Sequence, residues 1–343
     1  MLFWQHRLHS QMLAERLREG AAVSYVPVVD ISADPDAVGA ELDEICRTAG
    51  FFQVTGHDVP GEVAERAWTA ATRFFDLPPE DKLSVARPDP DYPYGYIPLA
   101  GESLSRSIAG AAPPDLKEVF NAGPPVRPAR SFADPGEAWA YSPSLWPAAL
   151  PELRTAWTAY YDAMRDLGDR LMSLFARGLG LPPGFFAGQT GQAANALRAV
   201  NYPARDTAPL PGQLRAGAHT DYGTLTILRQ DAVGGLEVLG PGGRWAVAEP
   251  VPGAFVINIG DLMARWTNDR WRSTLHRVVN PPRSRRGRRA QAEHAVLPER
   301  QLVGGDLLPA DLPGTGRETA LRAGAGRAPP DGQVPQVSHP PRG

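Results

Sequence analysis

The spacing of apolar residues changes near residue 196. Before that point helical periodicity dominates; after it, short apolar runs are separated by Gly and Pro turns. Residues 26–31 read as a short strand, with Pro27 suited to a sheet edge or a strand start. Asp34 and Pro35 open a helix, as a capping carboxylate followed by a first-turn proline. Val38, Leu42, Ile45 and Cys46 give that helix one apolar face, and the stretch 51–57 is the next strand. A second helix is expected over about 60–75, with Val63, Ala67, Ala70, Ala71, Phe74 and Phe75 on its buried side. A third is expected over 151–179, where Leu153, Trp157, Tyr160, Tyr161, Met164, Leu167, Leu171, Leu174 and Phe175 form one broad stripe. Residues 86–150 are rich in Pro, Gly, Ser and Ala and read as long ordered loops with little regular structure.

Later strands are expected at 197–202, 219–229, 236–239, 245–247, 254–259 and 277–280. The predicted fold is mixed α/β with a mainly β core, a jelly roll with flanking N-terminal helices. Two histidines and a carboxylate stand out within it. His219 and Asp221 are two residues apart, so on a strand both side chains would share a face. His276 lies at the start of a separate predicted strand, just before 277–280 and next to Val278 and Val279. Two histidines and one carboxylate facing one point make the facial triad of a non-haem Fe(II) centre.

Bulk properties narrow the alternatives. The chain has 343 residues, enough for one large domain, and a net charge of −3 gives no general attraction to nucleic acid or an anionic membrane. The single cysteine, Cys46, excludes an internal disulfide framework and a cysteine zinc site. No apolar run approaches the roughly 20 residues that span a bilayer. The first residues lack the apolar core of a secretory signal, so a cytoplasmic location is the default reading. Five arginines between 283 and 289 read as a solvated loop rather than a nucleic-acid patch.

Taken in order, these segments resemble the 2-oxoglutarate/Fe(II)-dependent dioxygenases of the isopenicillin N synthase-like family. The resemblance rests on Val26-Pro27-Val28-Val29-Asp30, on Gly50-Phe51-Phe52-Gln53-Val54-Thr55-Gly56-His57 and on Pro114-Asp115-Leu116-Lys117-Glu118-Val119-Phe120-Asn121. It continues through Asn201-Tyr202-Pro203, His219-Thr220-Asp221, Asn258-Ile259-Gly260-Asp261 and Thr274-Leu275-His276-Arg277-Val278. The resemblance implies a double-stranded β-helix with Fe(II) held by His219, Asp221 and His276. It implies 2-oxoglutarate as co-substrate, with Tyr202 and Arg198 as residues that reach it, and O2 as oxidant. Its products would be succinate, carbon dioxide and a small molecule changed at a C–H bond by hydroxylation, desaturation or ring closure. Asn258 and Asp261 would shape a turn, and Tyr94, Tyr96 and Phe120 are candidate walls of the substrate pocket. The expected division is an N-terminal extension at 1–25, an N-terminal dioxygenase region at 26–125, and a helix plus double-stranded β-helix catalytic core at 126–289. Oligomeric state is not legible.

The segment 290–343 departs from the family. The resemblance calls for an Arg-x-Ser on a last core strand, then an aromatic-rich strand and a terminal helix; no Phe, Tyr or Trp follows Trp271. Reading one nucleotide later from Ala290 permits the missing motifs in order. Residues 290–343 are therefore expected to be an aberrant, disordered, frame-shifted tail, with the last core strand and C-terminal helix missing and co-substrate use impaired. Two further readings stay open: an Fe(II) oxidase that needs no 2-oxoglutarate, like isopenicillin N synthase, and a non-catalytic truncated pseudoenzyme.

Overall fold

The computed structural model describes residues 25–104, 113–187, 194–203, 207–280 and, as backbone, 295–301. The expected N-terminal extension, the arginine run and nearly all of the 290–343 segment lie outside the described residues.

Two sheets form the core. The larger contains β1 (Val28–Asp30), β2 (Phe51–Thr55), β3 (Gly95–Ile97), β4 (Glu118–Ala122), β5 (Ala194–Asn201), β7 (Leu225–Leu228), β10 (Phe255–Ile259) and β12 (Ala295–Gln301). Their spatial order is β1-β2-β10-β7-β12-β5-β4-β3. The smaller contains β6 (Ala216–His219), β8 (Leu236–Leu239), β9 (Trp245–Val247) and β11 (His276–Val278), in the order β6-β11-β8-β9. This is the mainly β, mixed α/β jelly roll that the apolar pattern predicts.

Helices α1 (Pro35–Thr48), α2 (Gly61–Phe75), α3 (Pro79–Leu83), α4 (Pro135–Ala140), α5 (Glu152–Gly178) and α6 (Asp261–Trp266) complete the described elements. Asp34 caps α1 by accepting the Ala37 N–H at 3.0 Å. The predicted stripe of α5 is buried throughout, from Leu153 to Phe175. Phe52 packs on Phe175, and Phe74 and Trp157 flank Phe120, so the helices cover one face of the large sheet.

The segment 86–150 holds little regular structure, as expected: only β3, β4 and α4 among its described residues. β4 is buried on both faces, including Glu118 and Asn121 with Lys117 just before it, so its sequence shows no apolar alternation to read. One expectation is corrected. The last core strand is not missing from the structure: β12 pairs along β5 from Ala295↔Val200 to Gln301↔Ala194 and meets β7 at Glu299↔Thr226. Without it, β5 and β7 would present two unpaired edges to each other, and the short apolar run at 295–297 closes that gap. No helix of the described residues is long and apolar enough to cross a membrane.

Candidate metal centre

β6 and β11 are antiparallel neighbours in which His276 stands directly opposite His219. Side chains on directly opposed residues project from the same face, so the two rings lie side by side with centroids 4.2 Å apart. Asp221 reaches them by a different route from the one its spacing suggests. β6 ends at His219, and Asp221 lies in the turn that joins β6 to β7. The expectation of one strand over 219–229, with both ligands on its face by alternation, is thereby corrected.

The turn is held by the start of α6, whose first N–H groups have no partner within the helix. Asp261 N–H donates to Asp221 O at 2.7 Å, Gly260 N–H to Thr224 O at 3.1 Å, and Leu262 N–H to Tyr222 O and Gly223 O at 3.2 Å. Thr220 Oγ1 donates to Asp261 Oδ2 at 3.1 Å. Asp261 thus shapes the turn, as the resemblance implies.

The Oδ1 atom of Asp221 lies 3.8 Å from His219 Nε2 and 3.7 Å from His276 Nε2. One ligand atom from each residue falls within 4.8 Å of the others, as one shared metal ion requires. Each imidazole has its other nitrogen against a carbonyl: His219 Nδ1 lies 2.7 Å from Gly217 O and His276 Nδ1 3.2 Å from Thr274 O. A carbonyl oxygen can only accept, so Nδ1 carries a proton in each ring, and the lone pair of a neutral ring then lies on Nε2. Burial, reinforced by His276, pushes His219 down to about 3, so its ring is neutral at pH 7. Burial works against the charge on Asp221. The two histidines, Asn258 and Thr226 outweigh it and hold the carboxyl below the usual carboxylate range. A neutral His219 nitrogen, a second imidazole nitrogen and one ionised carboxylate make the donor set that Fe(II) takes.

Asp115 supports this arrangement from the segment just before β4. Its Oδ1 accepts the Gly217 N–H at 2.9 Å, and the same Gly217 supplies the carbonyl that faces His219 Nδ1. Its Oδ2 lies 3.4 Å from Lys117 Nζ, which is itself 3.4 Å from Glu102. Arg198 pairs with the same Glu102 carboxylate and lies 3.5 Å from Asn121 Oδ1. Arg198 therefore joins a compact charge cluster of two cations and two carboxylates. Burial pushes Lys117 down, and Arg198 adds to this against Glu102 and Asp115. Tyr202 lies just beyond β5, buried among Ile97, Val119, Val200 and Ala216, with the Arg215 guanidinium 5.4 Å from its ring centre.

The expected pocket walls are not part of this face. Tyr94 donates to Ala140 O, Tyr96 donates to Glu118 Oε2 at 2.5 Å, and Phe120 packs 4.4 Å from Phe74. On β4 the residues alternate. Val119 packs with Tyr202 and Ala216, so Phe120 points to the helices. Sequence reading names the segment holding Asp115 and Lys117 without giving either a role. It also passes over Thr226.

Known proteins share the sequence pattern and fold of this chain. The family model for the non-haem dioxygenase in morphine synthesis N-terminal region matches residues 26–149, and that for the 2OG-Fe(II) oxygenase superfamily matches 194–296. Validamycin A dioxygenase of Streptomyces hygroscopicus subsp. limoneus is 39% identical over 272 residues, covering 76% of this chain and 73% of the relative. Homoarginine-6-hydroxylase 2-ODD-233 of Oryza sativa subsp. japonica is 34% identical, covering 76% and 83%. Among solved structures, a full-length Neurospora crassa protein in complex with alpha-KG superposes with a TM-score of 0.68 at 30% identity, over 82% of this chain and 87% of that one. A 2OG-Fe(II) oxygenase family protein from Caulobacter crescentus gives a TM-score of 0.70 at 31% identity, over 81% and 87%. The chain belongs to the 2OG-Fe(II) oxygenase superfamily, enzymes that use Fe(II), 2-oxoglutarate and O2 on small molecules.

Proposed function

We propose that His219, Asp221 and His276 hold one Fe(II), and that the chain oxidises a C–H bond of a polar small molecule beside it. The observation that carries this is the convergence of two Nε2 lone pairs on Asp221 Oδ1, with both Nδ1 atoms already engaged. Fe(II) with 2-oxoglutarate and O2 supplies the oxidant that removes hydrogen from carbon, with succinate and carbon dioxide as by-products. The protein's own part is to present two imidazole nitrogens, to hold one carboxylate ionised and to keep charge balanced around them. Tyr202 is the residue we assign to the co-substrate, since it lies just beyond β5, packed with Ala216 of β6 and Val278. Arg198 is the second; it reaches a co-substrate only when Glu102 releases it. A cytoplasmic location fits a chain of this composition.

Anaerobic Fe(II) titration and a succinate assay test the proposal. Stoichiometric Fe(II) binding that His219→Ala abolishes is expected. Equal binding by His219→Ala and the unaltered protein would remove the assignment.

The composition of residues 290–343 supports a second inference about activity. With no Arg-x-Ser after β11, a charge-assisted partner for the distal carboxylate of 2-oxoglutarate is lacking from the sequence. We infer a frame shift near codon 290 and weak use of 2-oxoglutarate by the chain as it stands. Oxygen consumption without succinate would favour an oxidase, and Fe(II) binding without oxygen consumption a non-catalytic remnant. Sequencing the gene through codon 290 tests the frame directly. An intact in-frame series shared by close relatives would overturn it.

A further inference from the structure

The two oxygens of Asp221 are treated differently by the protein. Oδ1 faces both histidines. Oδ2 accepts two hydrogen bonds, from Thr226 Oγ1 at 2.5 Å and from Asn258 Nδ2 at 2.8 Å. These donors come from different strands, β7 and β10, and are directly opposed in the antiparallel register, Asn258↔Thr226. Directly opposed residues project from one face, so the pair forms a fixed two-pronged clamp. Both residues are nearly inaccessible, Thr226 at 3% and Asn258 at 3% exposed, so water cannot replace either donor at low cost.

We propose that Thr226 and Asn258 are positioning residues that make Asp221 a one-oxygen metal ligand. They occupy Oδ2 before any metal arrives and leave Oδ1 as the oxygen that binds. A carboxylate free to rotate could chelate through both oxygens and would use an additional coordination position. Clamping one oxygen keeps that position for the co-substrate and O2. Each partner constrains the other: with Oδ2 satisfied by two donors, rotating the carboxylate breaks two buried hydrogen bonds at once.

This inference rests on the metal reading above, and the test separates the two. Metal affinity is measured by calorimetry with Co(II), on the full chain, with no turnover required. Thr226→Val and Asn258→Leu keep shape and remove the donor; each should weaken Co(II) binding by about 10- to 100-fold. Thr226→Ser restores the hydroxyl and should restore binding. Thr224→Val is the control, since the Thr224 hydroxyl is buried two residues away and makes no hydrogen bond among the described residues. Its affinity should match the unaltered protein. Binding by Thr226→Val and Asn258→Leu within about two-fold of the unaltered protein would overturn the proposal, as would an equal loss in Thr224→Val. Should a variant not fold, a crystal structure of the Co(II)-loaded unaltered protein decides. Co(II) on Oδ1 alone, with both donors still on Oδ2, supports the proposal. Co(II) chelated by both oxygens, or Oδ2 released from Thr226 and Asn258, overturns it. Absence of Co(II) binding to the unaltered protein overturns the metal reading, and this inference with it.

Discussion

Gly260→Ala offers a sharp test of how the metal turn is held. The backbone there has φ −94° and ψ 173°, an extended conformation open to alanine, so the glycine is not needed for its torsions. It is needed for space. A Cβ at this position would stand 2.1 Å from Gly223 O, 2.7 Å from Gly223 C and 3.0 Å from Asp221 O. The carbonyl must retreat by about 1 Å to reach even a tight contact, and it belongs to backbone, not to a flexible side chain. The same carbonyl accepts from Leu262 N–H, and Asp221 O accepts from Asp261 N–H, so the clash separates the turn from the helix that supports it. Overpacking of this kind costs about 1–3 kcal/mol of stability. The effect on metal should be at least as large. Ligand distances are held to about 0.2 Å in a working site, and a shift of that size in the turn carries Asp221 beyond that tolerance. We expect Gly260→Ala to lose about 1–3 kcal/mol in chemical denaturation and at least about 10-fold in Fe(II) affinity, measured anaerobically. Gly253→Ala is the comparison: φ is +75° with open space around it, so backbone strain of about 1 kcal/mol is the only expected cost. Fe(II) affinity of Gly253→Ala should be unchanged. Retention of both stability and Fe(II) affinity by Gly260→Ala would refute this account of the turn. An equal loss of affinity in Gly253→Ala would refute it too.

Three other outcomes follow from the same geometry. Phe120→Ala should cost about 3–5 kcal/mol in stability through the space left between Phe74 and Trp157, with Fe(II) affinity of the folded fraction unchanged; a selective loss of metal or substrate binding would return Phe120 to the pocket. Glu102 should make stability fall on acidification. Burial opposes its charge, yet Arg198 and Lys117 hold it at about 2 against an ordinary value of 4.5, so the folded protein takes the proton later than the unfolded chain does. Its contribution, on the order of 3 kcal/mol at most, is complete above about pH 4.5 and is lost as pH falls towards 2. Glu102→Gln should therefore flatten the pH dependence of the denaturation midpoint between about pH 5 and 2, and an unchanged slope would count against the cluster. Finally, a frame-restored chain should bind 2-oxoglutarate roughly 10- to 100-fold more tightly than the chain as it stands; equal affinity, read from anaerobic titration, would refute the loss of an arginine partner.

How much can be read from sequence depends on whether a residue's task is local. The apolar stripe of α5 and the cap of α1 are local patterns, and both stand in the structure as predicted. His219 and His276 are legible because an ordered set of motifs surrounds them. The placement of Asp221 is legible in outcome but not in cause, because a strand ending at His219 and a turn seated on α6 bring it to the same point that alternation would. β4 is hidden in the sequence because its polar residues are buried. Lys117 and Asn121 take part in the charge cluster on the side of Arg198, while Glu118 accepts from Tyr96 and Asn201 on the other side. A polar residue satisfied by distant partners looks, in sequence, like one satisfied by water.

Thr226 shows the same limit at the site itself. In a run of Leu225, Thr226, Ile227 and Leu228 it reads as an ordinary β-branched residue on a strand. Only the register Asn258↔Thr226 reveals that its hydroxyl and the Asn258 amide meet on one carboxylate oxygen. The three proposed ligands of this centre can be named from one dimension because their side-chain chemistry is distinctive. Their geometry depends on cross-strand pairs, on α6 and on Gly260, where the chemistry is common and the position decides. A variant series on Thr226, Asn258 and Gly260 therefore probes what the ligand residues cannot: whether the protein sets the geometry of the centre before a metal binds.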